Sequence, residues 1–205
     1  MEVTLLLFGI SLLFAFPGSA ESQRVITKNL TLSTGLDFGD WGEEEYCPDG
    51  SFAVDLEVMF QDYFITHLDE TAINAVKLYC STLEGIHNGY ITSTVGENGE
   101  WQGMRPCPNG LMTGTRGQVL DEQGLLGDDV AVQNVEMQCN YGESKVTGVL
   151  PTSRDVKINE GDWSEWGQCE QDSAVCGIKI RYEKPSLVAD TTAISNIMMY
   201  CCAIL

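Results

Sequence analysis

Acidic residues stand at corresponding places in three segments of the chain. The segments read DETAINAVKLYC from Asp69, DDVAVQNVEMQC from Asp128 and DTTAISNIMMYC from Asp190, and Asp129 stands beside the second acid. Such carboxylates could serve a glycosidase as acid and nucleophile, or bind calcium through their oxygens. An Asp before a strand can also close a turn by accepting backbone N–H bonds. Repetition favours the turn, because a catalytic pair is needed once per molecule and a turn once per repeat.

Tryptophans form a second group with chemical potential. Trp41, Trp101 and Trp163 each follow a glycine and an acid, whereas Trp166 has no counterpart in the other repeats. Indole rings can stack on sugars, but a ring that recurs once per repeat is more typical of core or inter-sheet packing. Trp166 breaks the pattern and is therefore the candidate for glycan stacking.

Patterns for metals, cofactors and activated nucleophiles are missing from the sequence. It holds two histidines, His67 and His87, and no Cys-x-x-Cys pair, zinc-protease helix motif, phosphate loop or nucleophile elbow. We therefore predict no catalytic residue, no cofactor and no metal site. Whether the protein is an enzyme stays open, although these missing patterns favour a protein that is not one.

The charge balance restricts the partners. Thirty acids stand against eleven bases, for a formal net charge of −19. Nucleic acid and anionic membrane surfaces would be repelled. Basic proteins, cations and neutral glycans remain as partners.

The first twenty residues are typical of a secretory signal peptide. An apolar run from Leu5 to Phe16 is followed by the small residues Gly18, Ser19 and Ala20. The run is short for a membrane span, and we expect no span elsewhere. The protein would then be secreted, with residues 21–205 as its mature part. Asn29 begins an Asn-Leu-Thr sequon and is a candidate glycosylation site.

Eight cysteines behind a signal peptide predict four disulfides in an oxidising compartment. They fall into three repeats, at about 39–80, 99–139 and 161–202, each of which opens on Gly-acid-Trp and closes on a cysteine. Pairing within repeats would join Cys47 to Cys80, Cys107 to Cys139 and Cys169 to Cys201, and leave Cys176 for Cys202. An exchange of partners between the adjacent Cys201 and Cys202 stays open.

Alternation of apolar and polar residues predicts strands in each repeat. Phe52 to Phe60 places apolar residues on one face, with Asp55 and Glu57 on the other. Residues 71–83 could also be drawn as an amphipathic helix, but the β-branched residues of the aligned segments favour a strand. Three small sheets cannot each bury a face alone. We therefore predict an all-β domain over residues 21–205, with the sheets packed as a prism around one core.

These features resemble the vitelline membrane outer layer protein family. That family has three repeats, a tryptophan near the start of each, a D-D-T-A-x-N segment that runs into a strand, and a final Cys-Cys pair. Here the elements stand at residues 69–74, 128–131 and 190–193, and at Cys201-Cys202. The resemblance implies a disulfide-stapled β-prism of three Greek-key sheets with internal pseudo-threefold symmetry.

The resemblance also implies a function. We expect a secreted structural or interaction protein of an extracellular layer, either an egg coat or a secreted film, with basic matrix or egg-coat proteins as partners. One alternative is a lysozyme-type transferase that acts on N-acetylglucosamine oligosaccharides. Another is a glycan-binding module, by analogy with other β-prism lectins.

Overall fold

The computed structural model describes residues 24–61, 71–108, 110–121, 131–150, 161–184 and 193–205. Together these residues form fifteen strands and a 3-10 turn at Asn140–Gly142. The strands are β1 (Ile26–Thr31), β2 (Asp40–Trp41), β3 (Glu45–Tyr46), β4 (Ser51–Phe60), β5 (Ile73–Thr82), β6 (His87–Ile91), β7 (Glu100–Trp101), β8 (Arg105–Pro106), β9 (Met112–Val119), β10 (Val132–Cys139), β11 (Ser144–Thr147), β12 (Asp162–Trp163), β13 (Gly167–Gln168), β14 (Ser173–Tyr182) and β15 (Ile194–Ala203).

Three five-stranded antiparallel sheets repeat one plan. The first sheet has the order β6-β5-β4, and β7 and β8 pair along the free edge of β4. The second sheet has β11-β10-β9 with β12 and β13, and the third has β1-β15-β14 with β2 and β3. The all-β class and the three-sheet prism are confirmed. The segment that could have been a helix is strand β5.

The sequence repeats do not coincide with the sheets, because the opening hairpin of each repeat belongs to a different sheet from the rest of that repeat. The two short strands that open each repeat pair with the first long strand of the preceding sheet, so β7 and β8 of the second repeat lie on β4 of the first sheet. In the same way, β2 and β3 lie on β14 of the third sheet and so bring the two ends of the chain together. We expected each repeat to form one sheet. Instead each repeat contributes to two sheets, because the unpaired edge of each long hairpin needs a partner.

This exchange gives three disulfides an inter-sheet role. Cys47 follows β3 on the third sheet and is bonded to Cys80 of the first sheet. Cys107–Cys139 joins the first sheet to the second, and Cys169–Cys201 joins the second to the third. The fourth bond, Cys176–Cys202, lies within the third sheet. The three inter-sheet bonds therefore close a ring around one end of the prism, which we call the disulfide end.

Close packing to backbone explains why each repeat opens on glycine. Gly99 has a φ of +96°, and a Cβ at this position would lie 2.6 Å from the carbonyl carbon of Phe60. A Cβ on Gly161 would lie 2.5 Å from the same atom of Val119, and one on Gly39 would collide with Tyr182. Each glycine thus lets the opening hairpin approach the end of a long strand on the neighbouring sheet.

The core lies between the three sheets. In β4 the buried residues differ in part from those that the alternation of apolar and polar residues predicts. Leu56, Val58 and Phe60 point into the core as the alternation predicts. A bulge between Ala53 and Asp55 moves Phe52 into a second apolar cluster with Tyr200 and the Cys176–Cys202 bond. The face expected to be polar is covered too, and Asp55 and Glu57 are only 4 % and 8 % exposed. Glu57 bonds to the Lys77 and Tyr79 side chains of β5, and the Trp101 ring of the next repeat lies over Lys77. Alternation within one strand could not reveal these neighbours.

Candidate functional site

The acids first considered for chemistry, Asp69, Asp128, Asp129 and Asp190, lie outside the described residues, as does His67. The residues after them are described. In two repeats an alanine takes a left-handed conformation, with φ of +46° at Ala72 and +53° at Ala193. A bulge follows near the start of each of the strands β5, β10 and β15. The turn interpretation of the acids stays a prediction.

The polar residues in these bulges form hydrogen bonds to the backbone of the segments that lead into the opening hairpins. The Gln133 side-chain oxygen accepts a 2.9 Å bond from the Gly161 N–H, and the Ser195 hydroxyl donates a 2.6 Å bond to the Phe38 carbonyl. Asn74, in the equivalent position, accepts the Gly96 N–H through its backbone carbonyl at 2.8 Å. Each acid-led segment therefore contains a residue that bonds to the chain just before an opening hairpin.

Every repeated tryptophan lies over a cation on the outer surface of a sheet. The centroid of the Trp101 ring is 3.7 Å from the Lys77 ammonium, and that of Trp163 is 4.5 Å from the Arg116 guanidinium. Trp41 lies 5.9 Å from Arg181 in the same sense. These rings are partly exposed, and the opening hairpins carry them onto the neighbouring sheet. The expectation of packing at a seam between sheets fits this placement, but the rings do not lie in the core.

The second sheet differs because its cation lies between two rings. The Arg116 guanidinium is 4.7 Å from the centroid of Trp166 as well as 4.5 Å from that of Trp163. Both rings come from one opening hairpin, with Trp163 in β12 and Trp166 directly before β13. A guanidinium plane can stack on an aromatic face where it is only weakly hydrated. The stack fixes the Trp166 ring while the side chain remains half-buried.

Glu136 is the buried carboxylate that pairs with the cations of this cluster. Its carboxylate accepts bonds from the Arg116 guanidinium at 2.6 Å, from Lys145 at 2.9 Å and from the Thr147 hydroxyl at 3.0 Å. Burial acts to raise the pKa of Glu136, but the bonds from Lys145, Arg116 and Thr147 together outweigh it and hold the pKa below its usual 4.5. Glu136 is therefore ionised at neutral pH although it is 5 % exposed.

An amide pair lies beside the stack. Gln168 on β13 donates through Nε2 to Oε1 of Gln138 on β10 at 2.8 Å, and this bond is exposed to solvent. Gly114 lies opposite both residues in the sheet register and leaves room between the two strands. We call the outer surface formed by Trp163, Arg116, Trp166, Gln138 and Gln168 the Trp166 face.

The other sheets carry different residues at the position of Trp166. Counting three residues on from each repeated tryptophan gives Glu44 and Met104. Glu44 forms an ion pair with Lys179 at 3.2 Å, and Lys179 occupies the sheet position that Arg116 has in the second sheet. Met104 is 48 % exposed. Among the described residues, an aromatic ring at this position therefore belongs to the second sheet alone.

A ring of carboxylates marks the end of the prism opposite the disulfide end. Asp40, Glu100 and Asp162, the acids of the three Gly-acid-Trp motifs, are exposed. They pair in register with Tyr182, Phe60 and Val119, the last residues of the three long strands. We call this end the acid end. It was not predicted, because these acids were used only as markers of the repeat.

The described residues hold neither a metal-binding cluster nor a membrane-spanning helix. Within those residues, no cluster of three or more His, Cys, Asp or Glu side chains is placed to hold a metal ion. In the same ranges, no helix has the length and apolar character needed to cross a membrane.

Known proteins resemble this chain in fold and in sequence. A single-chain recombinant jacalin superposes with a TM-score of 0.51 at 14 % identity, over 90 % of this chain and 98 % of its own. A mannose-binding lectin from Champedak gives 0.50 at 14 % identity, over 88 % and 97 %. At this identity the likeness shows the β-prism fold alone.

Sequence relatives extend over most of the chain. The vitelline membrane outer layer protein 1 homolog of Mus musculus is 30 % identical over 175 residues, which cover 84 % of this chain and 82 % of the mouse protein. The Homo sapiens homolog is 26 % identical over 184 residues, 89 % and 86 % of the two chains. The sequence profile of vitelline membrane outer layer protein I matches residues 28–204. The chain therefore belongs to the vitelline membrane outer layer protein I family.

Proposed function

We propose that this protein is a secreted component of an extracellular layer, where it binds basic matrix proteins through its acid end. The observation that carries the proposal is the ring of exposed carboxylates Asp40, Glu100 and Asp162, which a chain of net charge −19 repeats on three sheets. Three acids around one axis present the same charge in three directions, which suits cross-bridging in a layer. The names of the mouse and human relatives support an outer egg-coat layer.

The ring of disulfides supports the extracellular location. Structural disulfides persist where the environment is oxidising and are rare in the cytosol. Each inter-sheet bond closes a loop of 32 or 33 residues. In the chain-entropy model each such bond contributes about 3.5 kcal/mol to stability. A domain held in this way resists unfolding outside the cell, where no folding machinery renews it.

A charge-matched pair of variants tests the role of the acid end. The first replaces the acid-end carboxylates as Asp40→Asn, Glu100→Gln and Asp162→Asn. The control replaces three exposed acids near the disulfide end as Glu84→Gln, Glu143→Gln and Asp172→Asn. Both variants have the same net charge, so any difference between them reports position.

Binding is measured against a lysine-rich peptide and against proteins extracted from an extracellular layer. We expect binding that weakens steeply between about 0.05 and 0.5 M salt, and an acid-end variant that binds more weakly than the control. Equal binding of the two variants would show that overall charge, and not the acid end, is recognised. Binding that salt does not change would contradict the proposal.

A glycan-binding role is a second candidate. The Champedak protein of similar fold is named as a mannose-binding lectin. The half-buried Trp166 beside two amides offers a surface of suitable chemistry. An enzyme that acts on oligosaccharides would depend on Asp69, Asp128, Asp129 and Asp190. These lie outside the described residues, so the structure adds no observation in its favour.

A further inference from the structure

The Trp166 ring packs against Arg116 and remains partly accessible. Arg116 lies against it, and the backbone of the next residue, Gly167, is paired with Thr115 in β9. A ring that is fixed before a ligand arrives loses little conformational entropy on binding. Position 166 therefore offers a preorganised aromatic surface.

The adjacent amides can bond to hydroxyl groups. Each glutamine side chain has two N–H donors and a carbonyl oxygen with two lone pairs. The bond from Gln168 to Gln138 uses one donor of the first and one acceptor position of the second. The pair thus keeps further donors and acceptors at the solvent-exposed side of the sheet, and a sugar hydroxyl can both donate to and accept from them.

Charge on the Trp166 face favours a neutral ligand. Glu136 already bonds to both cations of the cluster, Arg116 and Lys145. The exposed acids Asp162 and Glu165 stand directly before Trp163 and Trp166 in the chain. A sulfated or carboxylated sugar would meet these acids and the net charge of −19. Neutral sugars meet no such repulsion.

We infer that the Trp166 face binds neutral oligosaccharides, with one pyranose ring stacked on Trp166 and its hydroxyls bonded to Gln138 and Gln168. The aromatic ring supplies an apolar platform for the C–H face of the sugar, and the amides supply direction. This inference rests on the glycan-binding role given above as the second candidate. The acid end, which would bind proteins, borders this face at Asp162 but contributes no group to the proposed sugar contacts.

Titration calorimetry of the mature protein provides the test. The probes are four neutral tetrasaccharides (cellotetraose, maltotetraose, mannotetraose and chitotetraose) and a chondroitin sulfate tetrasaccharide as the acidic comparison. We expect at least one neutral probe to bind and the acidic probe to bind more weakly than it. Loss of one aromatic contact worth about 1.4 kcal/mol corresponds to a factor of about ten in affinity. Trp166→Ala should therefore weaken binding about tenfold.

Matched variants separate the site from the fold. Met104→Ala alters the equivalent position of the first sheet and should leave affinity unchanged. Gln168→Ala removes an exposed amide without touching the core and should weaken binding severalfold, which keeps the test valid if Trp166→Ala unfolds. If no neutral probe binds, glycan binding itself fails and the inference fails with it. If a probe binds equally to wild type, Trp166→Ala and Gln168→Ala, or if the acidic probe binds best, the proposed site is wrong although a glycan-binding role survives.

Discussion

Replacing Glu136 by glutamine should lower the free energy of unfolding by about 2 kcal/mol at neutral pH. Removing one partner of a buried ion pair costs about 3–5 kcal/mol, because the other charge is left in a poor environment. Two features reduce this figure. The Arg116 side chain keeps 23 % of its surface exposed, and that of Lys145 keeps 53 %. The amide oxygen of glutamine can also still accept one bond from the guanidinium.

The effect should depend on pH in a defined direction. The pKa of Glu136 is lowered in the folded protein. A carboxyl whose pKa falls on folding contributes stability that is complete above its unfolded value of about 4.5 and is lost as the pH falls through the folded value. The difference between wild type and Glu136→Gln should therefore be constant near pH 7 and shrink below about pH 4.5.

Urea denaturation with disulfides intact measures both effects, since urea does not screen charges as guanidinium would. The midpoint temperature of thermal unfolding should be about 6 °C lower in Glu136→Gln than in wild type, for a chain of this size. Glu143→Gln is the control, because that acid is exposed and its replacement should change stability by less than about 0.5 kcal/mol. A Glu136→Gln protein as stable as the control at pH 7 would refute the account of the Arg116 cluster. So would a difference that persists unchanged in acid.

Three further outcomes follow from the fold. Gly99→Ala should lower the free energy of unfolding by about 2–3 kcal/mol, because Gly99 has a left-handed φ and its Cα lies against the Phe60 backbone. Gly103 is also left-handed but has open space around it, so Gly103→Ala should cost about 1 kcal/mol in the same urea titration. Replacing Cys176 and Cys202 together by serine should lower stability by about 3 kcal/mol, while non-reducing peptide maps still show the three inter-sheet bonds. Asn29→Gln should abolish the mobility shift that N-glycosidase produces, because Asn29 is exposed on β1 in a sequon; a wild-type protein with no shift would contradict this.

The strands could be predicted from local alternation of apolar and polar residues, and the three-sheet architecture from the sequence repeat. Alternation predicted the core positions Leu56, Val58 and Phe60, and the spacing of cysteines led to the pairs that the structure contains. The repeat did not reveal that its opening hairpin pairs with another sheet. That pairing depends on contacts distant in sequence, which the alternation within one strand cannot report.

The cations beneath the tryptophans could not be predicted for a related reason. Lys77 lies on β5, Arg116 on β9 and Arg181 on β14, so they occupy three different positions of the repeat. The same contact, a tryptophan ring over a cation, therefore occurs on all three sheets although the cations do not recur at one position of the sequence repeat. The unrepeated Trp166 could be noticed, but its partner Arg116 could not.

Disulfide mapping of the mature protein, isolated from the medium of secreting cells, tests the central claim most directly. Secretion into an oxidising compartment and a ring of bonds between the three sheets together lead us to expect four linked peptide pairs and no free thiol. The pairs are Cys47–Cys80, Cys107–Cys139, Cys169–Cys201 and Cys176–Cys202. Retention of the protein inside the cell with reduced cysteines, or a map in which the three ring bonds are replaced by other pairs, would contradict it.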